Sequence, residues 1–339
     1  MPNVLITGGA GYIASHTNVE LATAGYTPII IDNFSNSSKE AIKRTEQLIG
    51  SPLAFYEGDV RDSDLLDTIF NEHDISAVIH FAGLKAVGES VQKPLEYYLC
   101  NLDSTLALLD AMDRHNCHTL IFSSSATVYG NPAELPITEQ SPIGIGLTNP
   151  YGKTKYFIEE ILRDTATSNP HWQFTILRYF NPVGAHPSGK IGEDPSGAPN
   201  NLLPFVSQVA VGKRKCLQVF GDDYDTPDGT GVRDYIHVVD LARGHVAALA
   251  HCKQGVAVYN LGTGRGTSVL QLIHAFEEVN QVSIPYIIAP RRPGDIAACY
   301  ADAKKAEQEL NWHATHTIEN AVKDAWNWQS HNPNGYKED

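Results

Sequence analysis

Asn3-Val4-Leu5-Ile6-Thr7-Gly8-Gly9-Ala10-Gly11-Tyr12-Ile13-Ala14 decides how the rest of the chain is read. Val4-Leu5-Ile6 is aliphatic on both faces, the pattern of a strand buried inside a parallel sheet. Gly8, Gly11 and Ala14 follow as G-x-x-G-x-x-A. The glycines let the backbone turn sharply and approach a phosphate, and the small Ala14 lets the next helix pack on the strand. From Tyr12 the apolar positions Ile13, Val19, Leu21 and Ala22 fit a helix whose first N–H groups would face a pyrophosphate. A glycine pattern alone is a weak signal. Here it gains weight because it follows a strand, opens a helix, and precedes a second apolar run, Pro28 to Ile31, ending in Asp32. An acid about 20 residues past the turn can accept from both hydroxyls of an adenosine ribose. No Arg follows Asp32 to receive a 2′-phosphate, so the cofactor reads as NAD rather than NADP.

Outward from this unit the alternation continues. A polar loop and a helix from Ser38 to Ile49 lead to a strand at Leu53 to Val60 containing Asp59, which could accept from an adenine amino group or cap the next helix. Helical Leu65 to His73 precedes a fourth strand, Ala77 to Gly83, whose Ala82-Gly83 exit would let a cofactor pass close to the backbone. A long amphipathic helix covers Tyr97 to Asn116; Leu102, Leu106, Leu109 and Met112 mark core or a subunit interface. Thr119 to Ser125 is a fifth strand, and Phe174 to Arg178 a sixth. The pattern predicts an α/β protein with a doubly wound parallel sheet, a Rossmann architecture, and ligands at the carboxyl ends of the strands. Composition shifts to Gly, Pro and polar residues after Asn181. This divides the chain into an NAD-binding domain, 1–180, and a smaller α+β substrate domain, 181–339, from which 235–260 could return to pack on the first.

A chain of 339 residues with 42% hydrophobic residues can fill two such cores. Its net charge of -14 disfavours nucleic acid and anionic membranes as partners, and makes local arginines the means of holding an anionic substrate. Five scattered cysteines without a C-x-x-C pair argue for a reducing compartment and no metal site. The histidines show no ligand spacing either. A strand beginning at Val4 leaves no room for a signal peptide, and no apolar run reaches membrane-spanning length, so the expected location is cytoplasmic.

Tyr151 and Lys155 lie one turn apart on a helix opening at Pro150. A tyrosine with an ordinary pKa of about 10 is a poor base at neutral pH; bringing it near 7 takes about 4 kcal/mol of differential stabilisation. A neighbouring ammonium and a cationic nicotinamide ring both favour the phenolate. Lys155 could also hold the nicotinamide ribose, while Ser125 could hydrogen-bond the hydroxyl that Tyr151 deprotonates.

Ser125, Tyr151 and Lys155 behind an NAD turn resemble the extended short-chain dehydrogenase/reductase family. The runs Phe81–Ser90, Ser123–Gly130, Arg178–His186, Asp228–His237 and Arg291–Asp295 extend the resemblance to nearly the whole chain, and it is closest to the family's nucleotide-sugar 4-epimerases. The resemblance implies C4 inversion of a UDP-hexose, the UDP-glucose/UDP-galactose pair. Tyr151 takes the 4-hydroxyl proton, hydride passes to retained NAD, and the 4-keto sugar receives it back on its other face from transient NADH. By the same resemblance Tyr12, Ile13, Asp32, Asn33, Asn36, Asp59, Val60, Phe81, Ala82, Gly83, Lys85 and Phe180 line the cofactor. Arg233 and Arg292 hold the diphosphate, a task that suits bidentate guanidinium geometry. Asn181, Asn201, Leu202, Phe220, Asp295 and Cys299 complete the substrate pocket, and a homodimer is expected. An ion pair of Arg233 with Asp234 or Asp240 is the competing reading of that arginine.

Two positions depart from relatives. Cys100-Asn101 stands where many carry two asparagines, which puts one cofactor hydrogen bond in doubt. Cys299 stands where some bacterial relatives place a Tyr and where relatives accepting N-acetylated sugars carry a small residue. That implies room for UDP-GlcNAc/UDP-GalNAc; a small core hydrophobe with collapsed neighbours is the open alternative. A 4,6-dehydratase would need acids after Ser125, where Ala126 and Thr127 stand. A non-catalytic NAD sensor would not need Ser125, Tyr151 and Lys155 beside two arginines. The glycine turn alone does not separate an epimerase from a dehydrogenase releasing NADH.

Overall fold

The computed structural model describes residues 1–195, 197, 199, 201–292 and 294–337; Pro293 of the Arg291–Asp295 run lies outside the described residues. Strand β1 (Asn3–Thr7) pairs in parallel on both sides, with β2 (Thr27–Asp32) and β4 (Ile75–His80), so Val4, Leu5 and Ile6 are sealed from solvent. Helix α1 (Tyr12–Thr23) joins β1 to β2. Then α2 (Lys39–Ile49), β3 (Ala54–Glu57) and α3 (Ser63–Glu72) lead to β4. Beyond β4 come α4 (Val87–Gln92), α5 (Pro94–Arg114), β5 (Thr119–Ser125), α6 (Pro150–Ser168) and β6 (Gln173–Tyr179).

The chain next forms β7 (Asn181–Val183), α7 (Leu202–Ala210), β8 (Leu217–Phe220), β9 (Val232–Arg233) and β10 (Tyr235–His237). Helix α8 (Val238–Ala250) then carries it back to β11 (Gly255–Leu261), which pairs with β6. The last elements are β12 (Thr267–Ser268), α9 (Val269–Asn280), β13 (Tyr286–Ala289), β14 (Ala298–Cys299), α10 (Lys304–Leu310) and α11 (Ile318–His331).

The main sheet has seven parallel strands in the order β11-β6-β5-β4-β1-β2-β3. The winding reverses between β1 and β4, and the crevice outside their carboxyl ends is where a doubly wound sheet receives ligands. Each face of the sheet carries its own core. Leu5, Val78, Leu120 and Ile176 pack under Leu66, Met112 and Leu162 on one face. Val4, Ile6, Ile79 and Leu177 pack under Leu21, Leu241 and Leu310 on the other. A third core, with Leu203, Val219, Phe276 and Val322, sits beyond β7.

Three expectations are corrected. The third strand is shorter than Leu53–Val60, and Asp59 does not cap α3; Asp62 does, accepting from Leu65 N at 3.1 Å. Within the expectation of core or subunit interface, the apolar stripe of α5 divides: Leu109 and Met112 are buried in the core, whereas Leu106 is 48% exposed. The long helix begins at Pro94, whose ring suits the first turn where no N–H is required.

Candidate active site

Gly8 turns the chain out of β1 with φ +66°, where a side chain is strained. A Cβ there would lie 2.9 Å from Ala82 N, so the exits of β1 and β4 run against each other, and Gly8 N donates to Ile31 O at 2.8 Å. Gly11 is the N-cap of α1 and carries no side-chain cap, so the helix presents bare N–H groups into the crevice. Asp32, at the end of β2, accepts from Ala10 N (2.9 Å) with Oδ2 and from Phe34 N and Ser37 Oγ (2.8 Å each) with Oδ1. It thereby fixes the glycine turn and the following polar loop. Asp59 accepts from Asn33 Nδ2 at 3.1 Å and from the Arg61 guanidinium, which holds its carboxyl down at about 2. Asn33 and Asn36 are exposed, and Val60 is buried.

A bare helix terminus and a close-approach glycine fit a dinucleotide pyrophosphate, and the acid at the β2 end fits its ribose. Ile13 and Phe81 pack partly buried in the core beneath this crevice, Phe81 with its ring 4.8 Å from that of His245. Tyr12 donates to Gly184 O at 2.7 Å, tying the start of α1 to the loop after β7. Asn101 is committed to the protein: it accepts from Leu84 N (2.7 Å) and donates to Leu84 O and Thr154 Oγ1 (3.0 Å each). It clamps the loop after Gly83, where a Cβ would meet Asn101 Oδ1 at 3.0 Å.

Ser125 ends β5 and caps the 3-10 turn Ala126–Tyr129, accepting from Thr127 N at 3.2 Å. Asn149 caps α6 through Gly152 N (2.8 Å), and the helix brings Tyr151 and Lys155 across from it. Tyr151 is buried, and burial raises its phenol above the ordinary 10, partly offset by the Ser125 hydroxyl at hydrogen-bonding reach. The phenol is therefore neutral in the protein by itself, and lowering it needs a further cation. Lys155 Nζ lies 5.9 Å from the Tyr151 ring centre and donates to Ser123 O at 2.7 Å. Burial lowers its ammonium to about 8, against the pull of Glu159.

In the C-terminal half, Arg292 pairs with Asp295 (2.9 Å) and lies 4.9 Å from the Phe220 ring centre, which joins three sequence-named residues. Burial raises the Tyr235 phenol to about 12, against the pull of the Arg233 and Arg292 charges. Neither acid proposed for Arg233 accepts from it. Asp234 is filled by Thr263, Gly264 and Ala301, and Asp240 by Thr315 and His316, while Arg233 donates to Val232 O. Asn181 N donates to Asp234 O at 3.0 Å. Cys299 packs with Phe180, Val128 and Ala301, and pairs in register with Arg233.

Two carboxylates escaped the sequence reading. Glu193 Oε1 accepts from both Lys85 Nζ (3.4 Å) and Asn201 Nδ2 (2.9 Å), and Asn201 leads into α7 beside Leu202. Nothing in its local sequence signals that role. The second is Glu159, which continues the helix face of Tyr151 and Lys155 by one more turn, a position that helical spacing alone could have flagged.

This geometry has close counterparts. The UDP-glucose 4-epimerase of Dictyostelium discoideum is 57% identical over 338 residues, 99% of this chain and 98% of that protein. The crystal structure of UDP-glucose 4-epimerase from Bifidobacterium longum, in complex with NAD+ and UDP, matches with TM-score 0.96 at 62% identity, covering 98% of this chain and 99% of that one. The UDP-Glc/GlcNAc 4-epimerase from Campylobacter jejuni matches with TM-score 0.84 at 36% identity, over 98% of this chain and 100% of that one. Residues 4–262 match the model of one family, and they hold the glycine turn, the strand-end serine and the Tyr151–Lys155 helix; the chain belongs to the NAD dependent epimerase/dehydratase family.

Proposed function

We propose that the protein interconverts UDP-glucose and UDP-galactose by inverting C4 of the hexose through a 4-keto sugar. The observation that carries this reading is the meeting of Ser125, Tyr151 and Lys155 at the carboxyl end of β5. Similarity to named UDP-glucose 4-epimerases supports it. NAD, held by the Gly8–Ile13 turn, Asp32 and the Ala82–Lys85 loop, would supply the hydride acceptor and donor. Ser125 Oγ holds the C4 hydroxyl, and Tyr151 Oη takes its proton. Tyr151 must be the phenolate to do this, a form that the Lys155 ammonium and a bound cationic nicotinamide ring would favour; on taking the proton it becomes the neutral phenol, which returns the proton by the same path. Arg233 and Arg292 hold the diphosphate, so that the hexose can present either face without leaving. We take 1–180 as the cofactor unit and 181–339 as the unit supplying most substrate contacts.

The test is UDP-galactose with purified protein and no added NAD. UDP-glucose forming without accumulation of NADH supports the reading. Product only with supplied NAD, and NADH rising in step, means a dehydrogenase and refutes it.

A wider substrate range follows from Cys299. A thiol packed against Phe180 leaves more room than a phenol, and the Campylobacter jejuni neighbour is a UDP-Glc/GlcNAc 4-epimerase. Wild-type and Cys299→Tyr protein should be compared on UDP-GlcNAc; turnover by neither removes this extension.

Leu95, Leu99 and Leu106 of α5 and Phe157 of α6 are 74%, 57%, 48% and 41% exposed, an apolar face that a second copy of the chain would cover. Light scattering should give twice the 37.1 kDa chain mass; a monomer refutes this assembly. No helix among the described residues is long and apolar enough to cross a membrane.

A further inference from the structure

Helix α6 lays three side chains, each one turn further along, against three successive residues at the end of β5. Tyr151 reaches Ser125, Lys155 Nζ donates to Ser123 O at 2.7 Å, and Glu159 Oε1 accepts from Ser124 Oγ at 2.6 Å. Glu159 and Arg178 are both buried. Arg178 Nε donates to Glu159 Oε1 at 2.9 Å, and Nη2 to Oε2 at 2.5 Å. Arg178 stands opposite Ser124 in the β5–β6 register, so the carboxylate bridges both strands from above. The remaining Arg178 Nη1 donates to Tyr129 Oη (3.0 Å), at the far end of the turn that Ser125 caps. Tyr129 in turn donates to Asn260 Oδ1 at 2.6 Å, extending the network to β11.

A carboxylate buried this completely is costly unless paired, and an apolar pair of similar volume is often no less stable. Stability alone is therefore a weak reason for it. We propose that Glu159 is a positioning residue for the reaction, fixing the end of β5, and with it Ser125, against the face of α6 that carries Tyr151 and Lys155, while supplying a buried negative charge one helical turn beyond Lys155. The inference rests on the epimerase reading, in which those three residues meet the sugar.

The groups around Lys155 support the electrostatic half. On α6 these are Tyr151 and Glu159. On β4 it is His80, which burial drives down to about 3 and keeps neutral. On β6, Tyr179 bonds the Ser123 hydroxyl and burial keeps its phenol protonated. Arg178 and Arg163 lie behind Glu159. Glu159 is the charge that raises the Lys155 ammonium against its burial.

Three variants test this. Ser124→Ala cuts the tether and leaves the ion pair; kcat should fall about tenfold with KM within twofold, because a small misplacement of a reacting group is expensive. Its alkaline pH limb should stay at the wild-type position. Glu159→Gln leaves a buried guanidinium without its acid and can fail to fold, so the decisive protein is the double variant Glu159→Leu/Arg178→Met. It should melt as a cooperative unit and bind UDP, yet its alkaline limb of kcat should move toward acid by about half a pH unit or more, as Lys155 loses its anion. A folded double variant with the wild-type limb and kcat overturns the inference, as does Ser124→Ala with wild-type kcat. Wild-type protein that converts no UDP-galactose overturns the epimerase reading and this inference together, which distinguishes the two failures.

Discussion

Gly8→Ala is the sharpest perturbation the site offers. At φ +66° an alanine bears about 1–2 kcal/mol of left-handed strain. Its Cβ would also stand 2.9 Å from Ala82 N, 3.0 Å from Ala82 Cα and 3.3 Å from Phe81 C. All three are backbone atoms of the β4 exit and cannot swing aside as a side-chain end does. The turn cannot retreat freely either, because Gly8 N is bonded to Ile31 O. Relieving such an overlap costs about 1–3 kcal/mol more. The total is about 2–5 kcal/mol, a melting depression of about 4–10 °C at about 2 °C per kcal/mol for a chain of this size. Gly50→Ala is the matched control: φ is +80°, but nothing lies within 4 Å of its would-be Cβ. It should bear the conformational part alone and melt about 2–4 °C lower. Calorimetry of both variants, with and without NAD, separates the contact from the strain. The displaced turn should also weaken NAD at least about tenfold in Gly8→Ala, the equivalent of 1.4 kcal/mol; Gly50→Ala should leave affinity unchanged. Equal melting depressions and equal NAD affinity in the two variants would refute the argument from close approach.

Tyr151→Phe should retain the wild-type melting temperature within about 2 °C, while epimerisation falls by about 10²–10⁴, the usual worth of a positioned proton acceptor; a smaller kinetic loss assigns the proton elsewhere. Lys155 is cationic below about 8 in the folded protein and below 10.5 when unperturbed. Turnover that needs the ammonium should therefore decline as pH rises through 8, measured as kcat from pH about 6.5 to 9.5. Between those two values the unfolded chain binds the extra proton, so this group makes folding more favourable with rising pH, and activity and stability should diverge there. Asn101→Ala strips partners from both backbone groups of Leu84 and should lower stability by about 1–3 kcal/mol, read by urea unfolding; cofactor retention falling in the same variant identifies the clamped loop as part of the NAD site.

The local rules were enough for the nucleotide half. An aliphatic run, two glycines at fixed offsets and an acid at the next strand end report backbone requirements, and those act over a few residues. They located β1, α1, β2 and the Asp32 position, and helical spacing put Tyr151 and Lys155 on one face. Resemblance contributed the proposed roles of Arg233 and Arg292, since two arginines far apart in the chain have no local period that would single them out.

The competing reading of Arg233 as an ion pair rested on sequence proximity alone. Asp234 is next to Arg233 in the chain, but it sits between β9 and β10 and its carboxylate turns inward to Thr263, Gly264 and Ala301. Asp59 looked like a helix cap because it precedes α3, yet the cap position falls on Asp62 once the strand ends at Glu57.

The sequence by itself determined the doubly wound class, the glycine turn and the Tyr151–Lys155 face, because each is dictated by sterics or helical geometry within one or two elements. Only the tertiary structure decided that Glu193 holds Lys85 and Asn201 together, that Glu159 and Arg178 share a buried bridge behind the strand-end serines, and that burial raises the Tyr151 phenol above its ordinary value. Those properties come from burial and from contacts between residues far apart in the chain, and desolvation acts on a group only after the fold has removed its water.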